Sequence, residues 1–123
     1  MTNTRTPWTH DENRALVALY FSMAFAVEQH QPYVKAAMIR ERQTGERTLP
    51  NGTKVYTSAP LQNRSRGSIE AKLMNCTAVV EDLGFHKWSM AEHGYRALPN
   101  YQAALKVAVA DYLRGIGIEV AVA

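Results

Sequence analysis

The chain has 123 residues, 46% of them apolar and 20% charged, and a formal net charge of +3. That composition supplies enough apolar surface for a core, argues against a chain disordered throughout, and contains no run of the roughly 18 to 20 apolar residues that a membrane span needs. The polar start over residues 1–7 predicts no signal peptide, and the lone Cys76 excludes an internal disulfide and a multi-cysteine zinc site, so the expected setting is a reducing cytoplasm away from membranes.

Residues 1–7 are expected to be flexible. Thr9-His10-Asp11-Glu12 has the form of a capping box, in which the Thr9 hydroxyl accepts a backbone N–H three residues on and Glu12 reaches back. Leu16, Tyr20, Met23 and Val27 follow at helical spacing, which predicts a first helix over about residues 9–29, with Trp8 folding back on the core. Pro32 suits a first helical turn, so a second helix is predicted from there to Gly45, with Tyr33, Val34, Ala37 and Met38 as its apolar stripe. Residues 46–61 change character. Val55, Tyr56 and Thr57 favour strands and Pro50-Asn51-Gly52 is a turn signal, so this segment reads as a short hairpin or an ordered loop.

A third helix is predicted behind a Ser65 cap, with Ser68 as the alternative. Its stripe is Ile69, Leu73, Cys76, Val80 and Leu83, ending at Gly84, and its opposite face holds Glu70, Ala71, Met74, Asn75, Ala78 and Glu81. Residues 85–98 read as an irregular loop containing Trp88 and Tyr95. Asn100 is expected to cap a fourth helix that ends at Gly115, and residues 116–123 to form a terminal strand or tail. The fold class is therefore mainly α: one compact four-helix domain, 1–123, with a helix-turn-helix-like core and a small β-hairpin accessory.

Catalytic motifs are weak. No phosphate-binding glycine loop occurs, His10, His30, His86 and His93 share no metal-ligand spacing, and Glu70-Ala71-Lys72 has the ExK spacing of metal-dependent nucleases on a helix rather than on the strand that chemistry needs. Cys76 sits on an apolar stripe and reads as a buried, inert thiol. The expectation is a non-enzymatic protein with no metal and no cofactor.

The charge is uneven. Residues 35–72 hold eight cations against three carboxylates, an excess of five, while the remainder is slightly acidic. Arg64, Ser65, Arg66 and Ser68 cluster at the predicted start of the third helix, where free N–H groups, the helix dipole and two guanidiniums suit a phosphate. Lys72 lies nearby, and Asn75 on an exposed face would be able to pair with an adenine edge. Lys35, Arg40 and Arg42 on the second helix would widen the footprint.

Trp8-Thr9-x-x-Glu12 with Leu16 resembles the opening of Myb/SANT-like trihelical DNA-binding domains, and residues 64–72 followed by Asn75 resemble their third helix. A closer resemblance is to a bacterial and phage family that occurs alone or as the N-terminal DNA-targeting module of HNH-type restriction endonucleases. It is carried by Tyr20-Phe21-Ser22-Met23, Tyr33-Val34-Lys35-Ala36, the RSxGSIExK motif from Arg64 to Lys72, the stretch from Asn75 to Val80, Leu83-Gly84, Gly94-Tyr95 and Asn100-Tyr101-Gln102. In this comparison residues 46–61 look like an insertion and Cys76-Thr77 replaces the more usual Ile-Ser.

The resemblance implies a DNA-binding module linked to restriction, phage or mobile-element biology. Cleavage would then need a nuclease partner chain, and the modest net charge makes a homodimer an expected way to strengthen binding. Two other readings stand beside it. One is a protein–protein adaptor using Ala71, Met74 and Ala78 or the apolar tail, favoured if Arg64 and Arg66 are tied up by Glu46 or Glu70. The other is a small-molecule-binding protein with a pocket of Trp88, Tyr95 and Tyr101.

Overall fold

The structure is a computed structural model that describes residues 6–121. It is mainly helical, with four α-helices and one two-stranded antiparallel hairpin: α1 His10–Glu28, α2 Lys35–Thr44, β1 Glu46–Thr48, β2 Lys54–Tyr56, α3 Arg66–Asp82 and α4 Ala103–Gly115. Two single 3₁₀ turns, His86–Trp88 and Ala91–His93, lie between α3 and α4. No helix among the described residues is long and apolar enough to cross a membrane.

The central element is α1. Its capping box forms as the sequence predicts: the Glu12 N–H donates to Thr9 Oγ1 at 3.1 Å and the Thr9 N–H to Glu12 Oε1 at 2.9 Å. From Leu16 to Ala24 nearly every side chain is buried, because α2, α3, α4 and the first 3₁₀ turn all pack around it. Phe21 stacks on Tyr112 of α4 with ring centres 4.9 Å apart and planes 6° from parallel, and meets the edges of Tyr20 and Trp88.

Tyr20 ties this core together through its hydroxyl. It donates to the Trp88 carbonyl at 2.7 Å, accepts from the Met90 N–H at 3.1 Å, and lies 3.3 Å from the Thr77 hydroxyl. The linkage fixes the segment after α3 as a packed part of the core, where the sequence suggests only an irregular loop. Trp88 and Tyr95 within it are both buried.

Several boundaries differ from the sequence-based expectation. Helix α2 starts at Lys35 rather than Pro32, since Val34 is extended at φ −120°. Its stripe is also displaced: Ile39 is the buried residue, while Val34 and Ala37 are exposed. Its end at Gly45 is as predicted. There φ is +75°, the Gly45 carbonyl accepts from the Thr57 N–H at 2.7 Å, and a Cβ would run into the Thr57 carbonyl oxygen. The hairpin follows directly, with Glu46 opposite Tyr56, Arg47 opposite Val55 and Thr48 opposite Lys54.

Helix α4 is not capped by Asn100. Gln102 holds the cap position without a side-chain bond. Tyr101 is kept outside the helix because its N–H donates to the Pro99 carbonyl and its hydroxyl to Asp82 at 2.6 Å. The tail forms no strand among the described residues. Ile118 and Val120 instead fold back on the core after Gly117, at φ +87°, reverses the chain, and Arg114 donates to the Val120 carbonyl. Residues 122–123 of the expected tail lie outside the described residues, as do residues 1–5 of the expected flexible start.

Cys76 is fully buried, and burial pushes its thiol above the ordinary cysteine range. It is expected to label slowly with thiol reagents in the folded protein, and Cys76→Ser to cost about 1 to 3 kcal/mol because the hydroxyl is poorly paired in the core. A denaturant titration and a timed labelling assay check this; rapid stoichiometric labelling of folded protein would contradict it.

Candidate nucleic-acid interface

The nine sequence-predicted site residues do not form one surface. Ser65 caps α3 as expected, its Oγ accepting from the Ser68 N–H at 3.1 Å. Arg64, one residue earlier, is not a free phosphate contact. It is 8% exposed, and its guanidinium grips Glu12 with two bonds, Nε to Oε2 at 2.9 Å and Nη2 to Oε1 at 2.8 Å. Its Nη1 and Nη2 also donate to the Thr6 and Pro7 carbonyls, each at 2.8 Å, and it lies 4.9 Å from the Trp8 ring centre. The Arg64 bond holds the Glu12 carboxyl below the usual carboxylate range, against the opposing effect of burial. Arg64 thus joins the entry of α1 to the entry of α3.

Asn75 is likewise turned to structure. It is 7% exposed, and its Nδ2 donates to the Leu98 carbonyl at 2.7 Å while the Leu98 N–H donates to the Met74 carbonyl. The expected exposed face of α3 therefore does not exist over residues 75–80, all of which are buried, because the chain around Leu98 lies across it. Lys72 is half-buried 5.5 Å from the Trp8 ring centre, and that burial lowers its ammonium from the ordinary lysine range. Lys35 donates to the His93 carbonyl and sits over the Tyr95 ring at 4.5 Å. Arg66 is exposed but paired with Glu70 at 2.7 Å, and Arg42 lies 3.7 Å from Glu41.

What remains is Arg40, joined by two hairpin residues that the site prediction omits. Arg40 on α2, Arg47 on β1 and Lys54 on β2 line a hollow of about 420 Å³ between helix and hairpin, together with Ala37, Met38, Glu41 and Glu46. Lys54 pairs with Glu46 at 3.1 Å. Arg40 and Arg47 are exposed, and their guanidiniums have no ion pair or hydrogen bond among the described residues. The basic count of residues 35–72 contained this signal. Assigning it to one face requires the hairpin register and its seat on α2.

The aromatic pocket is absent as such. Trp88 packs among Phe21, Phe25 and Phe85, Tyr95 is core, and the Tyr101 hydroxyl is held by Asp82. Of the adaptor surface expected on α3, Ala78 is buried, while Ala71 and Met74 are half-buried, Met74 packing against the core. Comparisons with protein-family models, with curated proteins and with solved structures give no match.

Proposed function

We propose that this chain is a small non-enzymatic DNA-binding module that holds phosphates at the hollow between α2 and the hairpin. The observation that carries the reading is the pair of exposed, unpartnered guanidiniums, Arg40 and Arg47, on the two walls of that hollow. Planar guanidiniums suit phosphate, and unpaired ones bind it without first breaking an ion pair. In this reading α2 and α3 are the helix-turn-helix-like part, with the hairpin inserted between them, and the family resemblance suggests a role in restriction, phage or mobile-element biology. A homodimer or a nuclease partner chain would add the affinity or the chemistry that one modestly charged chain lacks.

Binding of random-sequence DNA from low to moderate salt tests this. Arg40→Ala with Arg47→Ala should weaken binding on every sequence and flatten the log–log salt dependence by about 0.9 per lost phosphate contact on duplex. The fold should be unchanged, as both side chains are exposed. Absence of wild-type binding at low salt would reject the proposal in favour of the adaptor reading, for which the Arg66–Glu70 pair speaks and for which Ala71 and the tail at Ile116 are the surface left at least partly uncovered.

A further inference from the structure

Arg40 and Arg47 are left unpaired for reasons that the chain itself supplies. On α2 the neighbours three and four positions from Arg40 are Ala36, Ala37, Gln43 and Thr44, none of them a carboxylate. On β1, alternation puts Glu46 on the ribbon face opposite Arg47, where it pairs with Lys54 at 3.1 Å. Glu41, the other carboxylate lining the hollow, lies 3.7 Å from Arg42. Both carboxylates of the hollow thus have a cation, and two guanidinium charges stay uncompensated on its walls. The hollow measures about 420 Å³, the size of a small-molecule site rather than of a track for a length of backbone. Its walls meet where the single residue Gly45 joins α2 to β1.

Two unpaired charges on one small hollow match a ligand group that carries two negative charges. A phosphate monoester carries about 1.5 to 2 near neutral pH and offers three terminal oxygens to guanidinium N–H donors. An internal phosphodiester carries one charge and two free oxygens, so it leaves one guanidinium uncompensated. It also needs room for chain on both sides, and a backbone running through this hollow would have to leave past Gly45. We infer that the hollow takes the terminal phosphate of a DNA strand in preference to internal backbone, held between Arg40 and Arg47. The inference rests on the phosphate-binding reading above and specifies which phosphate is bound.

The test uses the full chain at low salt with three versions of one mixed-sequence duplex, bearing 5′-phosphates, 3′-phosphates or hydroxyls at all ends. Wild type should bind at least one phosphorylated version about tenfold more tightly than the hydroxyl version. Arg40→Ala with Arg47→Ala should remove that difference, so that all three versions bind alike. Equal binding of the three by wild type, or a preference that survives in the double variant, would overturn the inference while leaving phosphate binding in place. Inorganic phosphate equimolar with the duplex should leave the phosphorylated DNA bound; its complete displacement would mark a site for free phosphate and overturn the assignment to a DNA end. Failure of wild type to bind any version would overturn the phosphate reading itself. Thermal melting of the double variant separates these outcomes from misfolding.

Discussion

Arg64→Ala is expected to cost about 3 kcal/mol of folding stability, the lower part of the range for breaking a buried ion pair by removing one partner. The alanine leaves Glu12 charged under a cover of chain, and it strips the Thr6 and Pro7 carbonyls of their donors. The cost falls at the low end because the Glu12 side chain keeps 12% of its surface in contact with solvent, so water reaches the orphaned carboxylate. Urea denaturation measures it; a loss under 1 kcal/mol would show that the pair is not structural. Acid titration gives an independent check. The folded Glu12 carboxyl sits below its ordinary value, chiefly through the Arg64 hydrogen bond. Its stabilising effect is therefore complete above the unfolded carboxylate pKa of about 4.3 and is lost as pH falls through the lower folded value. Glu12→Gln should remove that part of the acid sensitivity.

Tyr20→Phe should cost about 2 to 3 kcal/mol, although it deletes a single oxygen. The ring volume is kept, so no large cavity forms. The Met90 N–H and the Trp88 carbonyl each lose their Tyr20 partner in the core, and an unsatisfied buried group costs about 1 to 3 kcal/mol. The loss should be accompanied by faster amide exchange at Met90, since its N–H bond to the Tyr20 hydroxyl is gone. Unchanged exchange at Met90 would mean that the residues after α3 are held by Trp88 packing alone. Burial also raises the Tyr20 hydroxyl above the ordinary tyrosine range, which favours its protonated, donating form.

Local chemistry along the chain was enough for much of the helical scaffold. The Thr9 box, the Ser65 cap, the stop at Gly45 and the Ile69–Leu73–Cys76–Val80 stripe act over three to seven residues, and hydrogen bonds and periodicity at that range are written in consecutive positions. The hairpin too was readable from its turn residues, with its alternative, an ordered loop, excluded by the Glu46–Tyr56 pairing.

Which polar residues face solvent was decided by contacts between distant segments. Arg64 looks like a free helix-end cation until Glu12, 52 residues earlier, is brought against it, and Asn75 looks exposed until Leu98 crosses α3. The RSxGSIExK motif that suggested DNA contacts thus places its first arginine, and the asparagine after it, in the framework of this fold. Arg47 is not legible as a site residue for the converse reason. Short strands carry charges whose direction depends on register and on the helix beneath them, and neither is set until the hairpin docks on α2. A side chain's chemistry is local, but its availability depends on what the rest of the chain lays over it, and that was settled only by packing.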